Sequence, residues 1–237
     1  MSKPTWRLAI RSWVVALVLV VLPLLHFGYG PKAVVRMTEG TLRVAPASLR
    51  AALLAYEKDL RAGVEEGLMA RDKDPLEAAE AVADAIPPLA AKQTPFSEIA
   101  RAYGRLAGLA FQCNDPFRGQ ENGRLKGLGG DYYGYVERVL PRLVLTFDGY
   151  RAERDAGART FLAGREPWLE RYRKALERDY FPGGRRASSD TFDDLSNAFG
   201  TAQSVLSHAV SDAANLWLRA WESMNGDSAA TPYLKRP

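Results

Sequence analysis

Apolar positions recur at three- and four-residue spacing over most of the chain, and this spacing predicts helices. Between 94 and 118, TPFSEIARAYGRLAGLAFQCNDPFR, Ile99, Leu106 and Cys113 step by seven with Tyr103, Leu109 and Ala110 beside them, which makes one apolar helical face. Thr94 suits an N-cap with Pro95 as the first helical residue, and Asn114-Asp115-Pro116 suits a turn at the other end. A second helix is predicted from about Ala47 to Glu66 on Leu49, Leu53, Leu60 and Val64. Asp74-Pro75 starts an alanine-rich helix expected to stop near Ala85, before Pro87-Pro88. Further helices are predicted from Asp131 to about Leu140 and from Pro167 to about Tyr180. The longest runs from about Thr191 to Met224, with Phe192, Leu195, Phe199, Leu206, Val210, Ala213, Trp217 and Trp221 along one broad face. Leu143 to Phe147 is the one strand-like run, with β-branched Val144 and Thr146, but it is read as continuing the helical course after Pro141. No repeat or second composition block is present, so the expected fold class is all-α, in a single multi-helix domain.

The first 28 residues change that picture. Lys3, Arg7 and Arg11 precede an apolar run from Trp13 to Leu25 that Pro23 interrupts. Thirteen residues are few for a membrane span of about 20 and suit the apolar core of a signal peptide. The chain therefore divides into a signal peptide or N-terminal membrane anchor (1–28), a helical domain (29–225) and a tail expected to be disordered (226–237). Export follows, to the periplasm or to a membrane-anchored position facing the periplasm or exterior.

Removing that segment also changes the charge. The whole chain has 32 basic and 28 acidic residues, and without the three leading cations 29 remain against 28. A nearly neutral domain lacks the basic footprint of a nucleic-acid binder, so no nucleic acid is expected as a partner. Cys113 is the single cysteine, which excludes an internal disulfide, and its place on an apolar face marks a buried thiol. There are two histidines, His26 and His208. His208 and Asp212 lie four apart on one helical face, a spacing used by metal pairs, but no third ligand is evident.

Residues 94–118 resemble the signature helix of the zinc-dependent phospholipase C and single-strand nuclease family, Gly-x-x-x-His-Tyr-x-x-Asp-x-x-x-Pro-Leu-His in words. Pro116, Phe117 and Gly104 keep the frame, and the family's zinc ligands fall on Gly108, Gln112 and Arg118, none of which is a competent ligand. Tyr29-Gly30-Pro31-Lys32-Ala33-Val34 resembles the family's mature N-terminus, Trp-Gly-x-x-x-His, with Val34 where the histidine belongs, and Ala45-Pro46-Ala47-Ser48-Leu49 matches the segment that follows. Asp131 to Leu140 resembles its His-x-x-Phe/Tyr-Glu helix, either with Tyr132 and Val136 at the ligand positions or, shifted by one, with Tyr133 and Glu137.

The resemblance implies the family's helical fold with its zinc site dismantled. It implies a non-catalytic relative with a ligand- or partner-binding role and no cofactor. The former cleft would be lined by Gln112, Asp115, Arg118, Tyr132, Tyr133 and Glu137, with no catalytic residue and no metal. Its partners would be membrane or envelope proteins, or an anionic small ligand drawn to Arg118. The alternative is a zinc-dependent phosphodiesterase or phospholipase with a rebuilt site using Asp115, Glu137, His208 and Asp212.

Overall fold

A computed structural model describes residues 28–70, 74–120 and 123–234. Among the described residues there is helix and no strand. The helices are α1 (Pro31–Val44), α2 (Ala47–Ala55), α3 (Glu57–Met69), α4 (Pro75–Ala91), α5 (Phe96–Cys113), α6 (Gly129–Val139), α7 (Ala158–Ala163), α8 (Glu166–Tyr180) and α9 (Asn197–Ser223). The predicted signal or anchor lies outside the described residues, apart from Gly28. No described helix is long and apolar enough to cross a membrane.

α5 is the centre of the domain because it is apolar on nearly all sides, with Tyr103, Leu106, Leu109, Ala110 and Phe111 inaccessible to solvent. It packs on α3, α4 and α9, and α1 and α8 lie against α9. Two glycine pairs at four-residue spacing set its distance from α3. A Cβ on Gly104 would run into the carbonyl oxygen of Leu60, and one on Gly108 into that of Val64. From the other side, Gly63 faces the Arg101 carbonyl and Gly67 that of Arg105. Backbone therefore touches backbone along this crossing, which only residues without a Cβ permit. Against α9 the contact is aromatic. The Trp217 indole donates to the Tyr103 carbonyl at 2.9 Å, and the two rings meet edge to face at 6.0 Å.

At α5 the N-cap is Pro95 and not Thr94, with no side chain capping the helix, and α6 starts two residues before Asp131. Four predicted elements differ more widely from the observed ones. The helix expected from Ala47 to Glu66 breaks at Tyr56, whose φ of −124° and ψ of 37° leave the helical region. That bend turns α3 onto α5 through Gly63 and Gly67. α4 continues through Pro87 and Pro88 to Ala91. The prolines remove two donors, to Ala83 and Asp84, but Ala79, Ala83 and Ile86 are buried and hold the helix through them. α9 starts at Asn197 and not at Thr191, because the Ser196 hydroxyl accepts from the Phe199 N–H at 3.2 Å and the Asp193 carboxylate takes the Leu195 N–H at 2.9 Å. Leu195 is then 95% exposed, off the apolar face it was expected to join.

The fourth correction concerns 143–150, which is extended and not helical. This strap runs alongside α9, and side chains of the helix take its amides. Val144 N–H donates to Gln203 Oε1 (3.2 Å), Thr146 N–H to Ser207 Oγ (3.0 Å), Asp148 N–H to Ser211 Oγ (2.9 Å) and Arg151 N–H to Asn215 Oδ1 (2.8 Å). Over the first three contacts the register is commensurate, since two extended residues advance about 6.6 Å and four helical ones about 6 Å; the last step takes three residues, with Gly149 at a φ of 94°. A polar stripe on a helix thus replaces the neighbouring strand that an extended segment would otherwise need.

The tail expected to be disordered makes contacts up to Leu234. Trp221 Nε1 donates to the Asp227 carbonyl (3.0 Å), Ala47 N–H donates to that of Ala230 (3.3 Å), and the Tyr233 ring lies 5.8 Å from Phe147.

Candidate functional site

α5 ends at Cys113, and the turn that follows presents Asp115 to α6. Asp115 Oδ1 accepts from the Phe117 N–H (2.9 Å), closing an Asx turn, and Oδ2 accepts from the Tyr133 hydroxyl (2.6 Å). The rings around it form a cluster: Tyr29 edge-on to Tyr133 at 5.5 Å, and Phe117 at 5.1 Å from Tyr132 and 5.8 Å from Tyr133. Burial pushes the Asp115 carboxyl above the usual range, although the Tyr133 and Phe117 donors and the charges of Arg118 and Arg173 pull the other way. The Tyr132 side chain is fully buried, and its hydroxyl has no partner among the described residues.

The remaining predicted cleft residues go elsewhere. Gln112 Nε2 donates to the carbonyls of Gly67 (2.9 Å), Leu68 (2.6 Å) and Ala70 (3.2 Å), closing the C-terminus of α3. Glu137 Oε1 accepts the Ala33 N–H at 2.8 Å and so caps the N-terminus of α1, a favourable place for a carboxylate. Gly30 makes room for it, since a Cβ there would lie 2.5 Å from the Glu137 side chain. Arg118 pairs with Glu166 at 3.3 Å, and its carbonyl accepts from Arg173 at 3.1 Å. The fold therefore unites Asp115, Tyr132 and Tyr133, leaves Arg118 acting on Asp115 through its charge while it pairs with Glu166, and uses Gln112 and Glu137 to close the ends of α3 and α1.

The weak metal pair, His208 and Asp212, belongs to a larger polar network. Asp212 is inaccessible to solvent and receives Arg165 through both carboxylate oxygens, Nη2 to Oδ1 at 2.7 Å and Nε to Oδ2 at 2.8 Å, with Asn114 Nδ2 adding a third donor at 3.0 Å. Arg165 also reaches Asp148 at 3.1 Å. Asp148 bonds His208 Nδ1 at 2.6 Å, and His208 Nε2 bonds the Tyr172 hydroxyl at 2.8 Å. Burial alone would raise Asp148, but the His208 bond and the charges of His208 and Arg165 outweigh it and hold the carboxyl below its usual range. His208 and Asp212 thus share a face but serve different partners, joined only through Arg165 and Asp148.

Sequence reasoning missed Asn114, Asp148, Arg165 and Tyr172 as members of this network. Its trace was legible on α9, where Ser204, His208 and Asp212 form one polar row at four-residue spacing and Gln203, Ser207, Ser211 and Asn215 form the next. What the rows bind comes from segments 36 to 98 positions away in the chain, from Tyr172 at the near end to Asn114 at the far end.

Among the described residues no group of three or more His, Cys, Asp and Glu side chains converges on one point. Burial pushes the Cys113 thiol up to about 12, which leaves it protonated and inert at neutral pH. Comparison with known protein families, with curated proteins and with solved structures returns no match.

Proposed function

We propose that the chain is an exported or membrane-tethered helical protein that works by binding and not by catalysis, on a frame resembling that of the zinc-dependent phospholipases C. The observation that carries this reading is the employment of the residues at the resembled ligand positions. Gly108 supports the α3 crossing, Gln112 closes α3, Tyr132 is core, and Arg118 is paired with Glu166. A hydrolytic zinc site needs deprotonated nitrogen and oxygen ligands around an open position. Here Gln112 and Arg118 are bonded to other groups, while the Tyr132 hydroxyl, without a partner among the described residues, is held neutral by burial. The acidic residues that a rebuilt site would recruit are engaged as well: Asp115 with Tyr133, Glu137 with α1 and Asp212 with Arg165.

The test is elemental analysis of untagged protein purified from the envelope fraction, paired with a phosphodiester hydrolysis assay. The expected result is less than a tenth of a zinc ion per chain, an order-of-magnitude threshold for an absent structural site, and no hydrolysis above buffer. One zinc per chain with turnover abolished by chelation overturns the reading in favour of a metal-dependent phosphodiesterase.

A further inference from the structure

The outward face of α1 combines exposed cations with an exposed apolar side chain beside the point where the chain enters the domain. α1 buries Ala33, Met37, Thr38, Thr41 and Leu42, which leaves Lys32, Val35, Arg36 and Arg43 exposed on the other side. Among the described residues none of these three cations has a carboxylate within 4 Å. Beside Lys32 and Arg36 lies an open, mainly apolar groove of about 400 Å³, lined by Pro31, Lys32, Val35, Arg36, Glu39, Leu140 and Pro141, so three cations and one carboxylate share this face and leave it net basic.

The entry point of the chain is fixed beside this groove. Tyr29 is 4% exposed, its hydroxyl donates to the Asn114 carbonyl at 3.5 Å, and its ring packs on Tyr133. The capping of Ala33 by Glu137 pins the next turn. The apolar run from Trp13 to Leu25 ends six residues before Pro31, so at no more than about 3.5 Å per residue its end lies within roughly 20 Å of the groove. A groove of this volume has room for only a fraction of that run, and the rest needs another apolar medium.

From this we infer that the α1 face rests on an anionic lipid surface, with Val35 and Pro141 at the acyl boundary and Lys32, Arg36 and Arg43 among the phosphate headgroups. Basic residues beside an apolar segment are the chemistry that recognises such a surface. The face also fixes an orientation: the chain enters from the bilayer through Gly28, and the buried face of α1, packed on α9, points away from it. This rests on the tethered form of the proposed function and is tested so that the two fail separately.

The test uses the full chain with Cys113→Ala, carrying a polarity-sensitive fluorophore on Val35→Cys or, as the control on α3, on Met69→Cys. Vesicles of phosphatidylcholine with phosphatidylglycerol are added and then floated. The inference expects the protein to float, the label at 35 to shift to the blue and resist an aqueous quencher, and the label at 69 to do neither. Lys32→Glu with Arg36→Glu should return the label at 35 to its aqueous emission while the protein still floats. A single neutralisation, Lys32→Gln or Arg36→Gln, should weaken the preference for anionic over neutral vesicles about fivefold, the contribution of roughly one basic group at such a surface. If the protein does not float, the tethered reading fails and takes this inference with it. If it floats but positions 35 and 69 respond alike, or the label at 35 is already shielded without vesicles because the leading segment covers the groove, the inference alone is overturned.

Discussion

Arg165 and Asp212 form a two-point ion pair in the interior, at 2.7 and 2.8 Å, with the Asp212 carboxylate inaccessible to solvent. Such a pair is costly to desolvate and costlier to break, because removing one partner strands the other charge. Asp212→Ala should destabilise the fold by about 3–5 kcal/mol. Arg165→Met with Asp212→Leu, which removes both charges, should cost less than either single change. Urea denaturation of Asp212→Ala, Arg165→Met, Asp212→Leu and the double variant checks this, and a double variant as damaged as the singles would contradict it.

The glycine crossing predicts a steric penalty with no charge in it. Gly104→Ala places a methyl group against the Leu60 carbonyl, and Gly108→Ala places one against that of Val64. Both helices would have to separate, at a cost of about 1–3 kcal/mol each, typical of overpacking. Gly130→Ala, where a Cβ meets nothing within 4 Å, is the control and should leave the melting temperature within a degree or two.

The strap on α9 gives a local prediction. Ser207→Ala with Ser211→Ala removes the acceptors for Thr146 and Asp148 N–H. Each hydrogen bond contributes about 0.5–1.5 kcal/mol, so global stability should fall modestly. The amides of 146 and 148 should exchange far faster, and proteolytic cleavage within 143–150 should appear. Unchanged exchange at both amides would show that other contacts hold the strap.

Asp148 sets an acid limit. Its folded pKa is depressed, so the stability it contributes is fully present above the unfolded value of about 3.9 and is lost as pH falls through the lower folded value. Asp115 has the opposite sign: its pKa is raised, so folding favours its protonated form and its ionisation costs stability as pH rises past the unfolded value. Wild type and Asp148→Asn should therefore converge in stability as pH is lowered below about 4. Asp115→Asn should lose less, relative to wild type, at neutral pH than in acid. Parallel curves across the whole range would remove both assignments.

By itself the sequence determined the helical class, the central place of the helix through Ile99 and Leu109, the buried state of Cys113 and the apolar face of α9 from Phe199 to Trp217. Those are consequences of periodicity, which acts between residues three and four apart and so is visible in a linear text. Tertiary structure alone decided the course of 143–150, because an extended run is stable only where something supplies partners for its amides, and here the partners are four side chains about 60 positions later. It likewise decided that α4 survives two prolines and that Leu195 faces solvent. The polar residues divided in the same way. Gln112 and Glu137 were singled out by the family resemblance and Asp212 by its spacing from His208, but whether each lined a cleft, capped a helix or held an arginine depended on which distant backbone or charge the fold brought to it.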